Sequence, residues 1–300
     1  MRTNTLLELQ GSIVHQETQL IVSAIESLQQ EPNIFKDYIF PIASAFFTSI
    51  LGAGIAYYIL NRQEYVQIEK DKMNASNKWT LDIEQARSNL IAIKGSYNGK
   101  LTDLPIQRVG AIQSILLHAQ SIPENFRDLS FIVPKENKSK TDLPKWSQIP
   151  RIRVMISNYN YLLKLWDQRN EMNQSFKEMI LASIGNKAYA NLTLQEVENA
   201  LGKANLVILI DLTERCITFT DDIIVELDSF LSDFPAFAKT KVDTKRLKKY
   251  GTIITYSNNG NEALLKLIKK SPTVDYSSVE YLFGETDEVI KRRHKTGYEE

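Results

Sequence analysis

The sequence predicts a mainly all-α protein. One transmembrane helix is expected, then a cytoplasmic antiparallel bundle of long helices, then a small mixed C-terminal segment. Three observations carry that expectation. Residues 38–60, YIFPIASAFFTSILGAGIAYYIL, hold no charged side chain. Residues 61–93 contain neither glycine nor proline. From Leu194 to Phe234 apolar side chains recur at steps of three or four. The chain thereby divides into an N-terminal amphipathic segment (1–37), the span (38–60), a helical stalk and bundle (61–238) and a basic C-terminal segment (239–300).

In the first segment, Leu6, Leu9, Ile13, Leu20 and Leu28 stand among Gln, Glu and Ser and predict an amphipathic helix over 5–30. Glu31, Pro32 and Asn33 break it. Its polar face lacks the lysines and arginines of a membrane-surface helix, so protein contact is the better reading.

The apolar run is bounded by Asp37 on one side and by Asn61 and Arg62 on the other. As a helix it reaches ~34 Å, against ~30 Å for a hydrocarbon core. Buried core helices that are apolar all round usually run only about 10–14 residues. Tyr38, Tyr57 and Tyr58 sit where amphipathic rings favour the interface, and Pro41 falls in the expected first turn, where a missing amide hydrogen costs little. The run starts too late, after a segment too acidic, for a cleaved signal peptide. Only Lys36 precedes it closely, whereas Arg62, Lys70, Lys72 and Lys78 follow it. That asymmetry predicts residues 1–37 outside the cell membrane and the rest in the cytoplasm. Ser44, Thr48, Gly52 and Ala56 follow at four-residue spacing and share one face, the pattern that lets two helix backbones pack closely in lipid.

The stalk's apolar positions (Tyr65, Ile68, Trp79, Ile83, Leu90, Ile93) grow denser toward its end, and a turn is expected from Gly95 to Pro105. Val109, Ile112, Leu116 and Ala119 predict a helix over 104–121, stopped by Pro123. Residues 124–148 read as a loop with a short extended piece at Phe131–Val133. Ile152, Met155, Tyr159, Leu162, Trp166 and Phe176 predict a helix over 151–184. Thr193 and Glu196 form a capping box that opens one long helix ending before Pro235. The Asp221, Asp222 and Glu226 group on it reads as a solvated acidic face, and Arg151 and Arg153 as a solvated basic one. A rival reading makes Leu206–Ile210, followed by Asp211, a buried strand. Beyond residue 239, Ile253–Tyr256 is a candidate strand, Asn258–Gly260 a turn, and 262–270 and 279–293 short helices. The basic end from Lys291 to Lys295 reads as loose.

No motif for chemistry emerges. No phosphate-binding glycine loop or G-x-S-x-G elbow is present, and His15, His118 and His294 lie in separate regions. With one cysteine, Cys216, there is no internal disulfide or thiolate metal cluster. Cys216 and His118 are the sole nucleophile–base pairing available, and both fall on helices expected to face a core. No catalytic, cofactor-binding or metal residue is therefore expected. Two surfaces remain as candidates: the small-residue ridge of the span, and the basic cluster Lys239, Lys241, Lys245, Arg246, Lys248 and Lys249, facing lipid or nucleic acid. Lys plus Arg equal Asp plus Glu at 36 each, which argues against a general nucleic-acid binder. The expected function is a non-enzymatic, membrane-anchored interaction or assembly protein. Its expected partners are the bilayer, other copies of itself and an unidentified protein. Membrane effectors and accessory subunits of bacterial systems, such as anti-phage defence, share this plan. The alternative is a membrane-tethered enzyme or nucleotide sensor built on the strand at 206–210.

Overall fold

The computed structural model describes residues 15–26, 33–115, 118–134, 143–185, 192–258 and 260–296. It is 76% helix, with no strand among these residues. Two compact units are present, Met1–Tyr65 and Val66–Glu300.

In the first unit, residues 15–26 are helical and exposed. The rest of the amphipathic helix expected over 5–30 lies outside the described residues. A π-helical turn, Phe35–Ile39, then leads into helix α1, Phe40–Tyr97. Helical backbone thus begins before Pro41, not at it. Pro41 has no amide hydrogen and crowds the carbonyl four residues back. The turn before it is widened to π spacing, and Phe40 N donates to Phe35 O. α1 is long and apolar enough to cross a membrane, and its most apolar stretch has no buried residue. Hydroxyls inside that stretch bond back along the helix: Ser44 Oγ to Pro41 O at 3.3 Å, Ser49 Oγ to Ala45 O at 2.8 Å, and Thr48 Oγ1 to Ser44 O.

The second unit is built around three long helices: the later part of α1, α3 (Ile149–Ile184) and α5 (Lys203–Lys239). α5 is the hub, with side chains buried on nearly every side from Leu206 to Ala238. Its Ile223, Leu227, Phe230 and Phe234 share one core with Trp79, Ile83 and Leu90 of α1 and with Ile152, Tyr159 and Trp166 of α3. Trp146 closes that core edge-on against Phe230, with ring centroids 5.0 Å apart. A second core gathers Phe176, Leu206, Leu209 and Ile210 with Tyr276, Val279, Leu282 and Ile290.

Several expectations are corrected. The helix expected over 104–121 stops early, at α2 (Pro105–Ala111). Buried Arg169 of α3 donates Nη2 to the carbonyls of Val109 (3.0 Å) and Ile112 (2.6 Å), placing a cation on the helix C-terminus. Beyond it, residues 112–115 and 118–122 are not helical. Asn170 pairs with both the amide and the carbonyl of Ile115 (3.1 and 2.7 Å), and Asn160 does the same for Ile122 (2.9 Å each). These side-chain amides supply what helix neighbours would have given. Of the piece Phe131–Val133, only Val133 is extended, because Arg127–Ile132 is a 3₁₀ turn.

The long stripe after Thr193 is two helices, α4 (Leu194–Leu201) and α5. The capping box is present as expected: Glu196 N donates to Thr193 Oγ1, and Thr193 N to Glu196 Oε2. The break falls at Gly202, with φ +79 and ψ 150, a conformation open essentially to glycine alone. Pro235 does not end α5, which continues through it to Lys239. Leu206–Ile210 is helical, so the rival strand and the site hung on it are lost. Ile253–Tyr256 forms no strand either. The C-terminal part holds short helices: α6 (Thr244–Leu247), α7 (Glu262–Ile268), α8 (Glu280–Phe283) and α9 (Asp287–Arg293).

Candidate functional site

Ser44, Thr48, Gly52 and Ala56 are all exposed along α1. A Cβ built on Gly52 meets nothing within 4 Å. Among the described residues the ridge is therefore exposed along its whole length.

The basic cluster follows the end of α5. Asp243 caps α6 by accepting from the amides of Lys245 and Arg246, and it pairs with the Arg246 guanidinium at 2.9 Å. Lys241 is half-buried with its ammonium 5.4 Å from the Phe237 ring. Lys239, Lys245, Lys248 and Lys249 are exposed.

The densest chemistry lies elsewhere, along α5, where acids read from sequence as a solvated face are buried and paired. Asp221 accepts from Lys94 Nζ at 2.6 Å and from the Ser271 amide at 2.5 Å. Asp222 pairs with Lys270 at 3.0 Å and accepts from the Thr296 hydroxyl. Glu226 holds Lys145 (2.7 Å) and Arg151 (3.2 Å); Arg151 is thus paired though exposed, and Arg153 is exposed. Glu214 and Arg108, each 2% exposed, meet at 2.8 Å. Arg108 also donates to the carbonyls of Thr102 and Pro272, joining α2, α5 and the segment before α8. Burial raises the Glu214 carboxyl pKa against the opposing pull of Arg108. Glu214 Oε1 is buried with no hydrogen-bond partner among the described residues. A crevice of about 270 Å³ opens beside this network, between α5, residues 270–276 and α9.

The segment from Lys291 to Lys295 is clasped at His294, not loose. His294 is buried; its ring stacks on Tyr276, and its Nε2 lies 3.0 Å from Asp211 Oδ1. The ionised carboxylate only accepts, so Nε2 carries hydrogen. The Tyr276 hydroxyl lies 3.0 Å from Nδ1. Burial opposes ionisation of Asp211, but the bond and charge of His294, with Arg215 and Arg293, hold its carboxyl below the usual range. The Asp–His–Tyr order resembles a proton relay, yet burial pushes the Tyr276 phenol far up, with the nearby Glu214 charge adding to it. The phenol is thus no ready nucleophile, and the clasp works as an attachment of α9 to α5.

Neither is Cys216, whose buried thiol is pushed up to about 12. His118 is exposed and forms no pair with it. No group of three or more His, Cys, Asp or Glu suited to a metal occurs among the described residues. Sequence reasoning missed the buried ion pairs because it assigned Asp221, Asp222 and Glu226 to a solvated face. One signal was present: Glu214 and Asp221 are seven residues apart and so share a face, on a helix with apolar side chains on its other faces too. Comparison of the chain with protein-family models, curated proteins and solved structures finds no match.

Proposed function

We propose that this chain is a single-pass, membrane-anchored assembly protein without enzymatic activity. Residues 1–37 lie outside and 61–300 form a cytoplasmic helical domain that self-associates and recruits a protein partner. One observation carries the reading: the charge-free stretch of α1 has no buried residue, so its apolar surface needs a hydrocarbon solvent. The bundle is antiparallel in this reading. In support, Trp166 bonds Thr220 while Arg169, further along α3, bonds Thr213, further back along α5. Arg87–Asp228 and Lys94–Asp221 run oppositely in the same way for α1 and α5. The ridge of Ser44, Thr48, Gly52 and Ala56 is the self-association face within the span. Assembly through it suits a membrane effector or accessory subunit.

Cross-linking in membranes tests the assembly face. Gly52→Ile is expected to weaken it and Ile50→Leu to leave it unchanged, with both variants inserting equally. Equal cross-linking of the two would assign assembly to the helical domain alone. For orientation, a cysteine at residue 10 should react with an impermeant thiol reagent on intact cells. Labelling near residue 290 instead would reverse the topology.

A further inference from the structure

We propose that the turn from Lys239 to Tyr250 is a docking surface for anionic lipid headgroups, which makes a second membrane contact beside the span. The inference rests on the membrane reading above. Residues 239–250 carry six basic side chains against one acid, Asp243, in a chain whose lysines and arginines equal its acids at 36 each. That single acid is occupied by the α6 amides and Arg246. Lys239, Lys245, Lys248 and Lys249 are exposed, and none has a carboxylate partner among the described residues. Val242 and Leu247 are buried in the main core, so the turn is seated firmly while its ammoniums face out.

The turn is also strapped to α1. The Asp243 amide donates to Glu69 Oε2 at 2.7 Å, and Lys70 Nζ lies 3.7 Å from the Tyr250 ring centroid. Further on, Asn77 bonds the carbonyl of Thr252 (3.0 Å) and the amide of Ile254 (2.8 Å). Rising numbers in the strap therefore follow rising numbers in α1. The basic residues fall at the 69–70 end, and only eight residues separate Leu60, the last of the apolar run, from Glu69. A tether that short keeps the patch close to whatever surface the span enters. The acids on this part of α1 are matched by its own bases: Glu64, Glu69 and Asp71 stand against Arg62, Lys70 and Lys72, with Glu69 paired to Lys72, so the excess at 239–250 stands. Tyr250, 53% exposed, adds an amphipathic ring of the kind enriched at membrane interfaces. Lipid is favoured over nucleic acid because the tether supplies lipid at high local concentration and no second aromatic interleaves the lysines.

The test uses the full chain with an environment-sensitive fluorophore on Thr244→Cys, an exposed position, Cys216 being buried. The chain is reconstituted in nanodiscs of phosphatidylcholine alone or with about 30% phosphatidylglycerol, a composition that gives a negative surface. A blue shift is expected with the anionic lipid only. It should vanish in about 1 M NaCl, where the screening length is ~3 Å. Each lysine removed should weaken local attachment about fivefold, so the fourfold variant Lys239, Lys245, Lys248 and Lys249→Gln should show no shift. Identical emission in both discs, with the chain inserted, overturns the docking surface and leaves the anchor standing. Failure to enter discs of either composition overturns the membrane reading itself. A short DNA duplex that produces the shift through the same lysines, while anionic discs do not, assigns the patch to nucleic acid and overturns the inference.

Discussion

The early part of α1 and the whole of α5 are both rich in apolar residues, yet they solve opposite problems. The apolar stretch of α1 carries no charged side chain over residues 38–60, and its most apolar window has no buried residue. α5 carries Asp211, Glu214, Asp221, Asp222, Glu226 and Asp228, and each has a cationic or histidine partner brought by another element: His294, Arg108, Lys94, Lys270, Lys145 and Arg87 in turn. A protein core can deliver a partner to a buried charge, whereas hydrocarbon cannot. Apolar content alone therefore does not separate a core helix from a spanning one. The presence of charges with protein partners does.

Breaking the core side of that comparison should give the largest effects. Leu212→Asp places an unpaired charge at a 6% exposed site and should unfold the domain, read by loss of a cooperative melting transition. A variant melting like the parent would mean that α5 is not the hub. Next, Arg108→Met strands Glu214 and should cost about 3–5 kcal/mol in denaturant unfolding. Adding Glu214→Leu should recover most of it, since a buried pair replaced by apolar side chains is often near neutral. No recovery in the double variant would show that Arg108 acts through its carbonyl contacts and not through charge.

The two α5 carboxylates with opposite shifts sharpen the picture through pH. Glu214 is raised in the fold, so its contribution is present below its unfolded value of about 4.5 and declines as pH rises above it. Glu214→Gln should flatten that decline. Asp211 is lowered, so its contribution is present above about 3.8 and is lost as pH falls through its folded value. Asp211→Asn should flatten the acid limb instead. Stability measured from acid to neutral pH distinguishes the two, and parallel profiles would contradict both assignments.

Smaller effects probe local devices. Gly202→Ala meets no steric contact, so its cost of about 1–3 kcal/mol should come from backbone strain alone. Thr193→Ala removes half of the capping box and should cost about 1 kcal/mol. Either change measured as neutral would remove the corresponding reason for the α4 boundaries.

The long helices, including the apolar start of α1, were legible because their signals are periodic or continuous: the stripe through Trp166 and Phe176, the capping box at Thr193, and the charge-free run. What was not legible depends on distant partners. α2 ends because Arg169, over fifty residues later, takes its carbonyls. Asn160 and Asn170 look like ordinary polar helix residues until the backbone of Ile122 and Ile115 lies beside them. His294 looked like part of a loose basic tail because Tyr276 and Asp211 are remote in sequence. Gly202 is different: its signal was local, and the unbroken apolar phase on either side masked it.

The central claim is that the uncovered stretch of α1 lives in a bilayer. Alkaline-carbonate extraction of membranes tests it most directly, comparing the full chain with one lacking residues 38–60. The account predicts that the full chain stays with the membrane pellet, while the shortened chain moves to the supernatant as a cooperatively folded helical protein. A full chain released into the supernatant would contradict it.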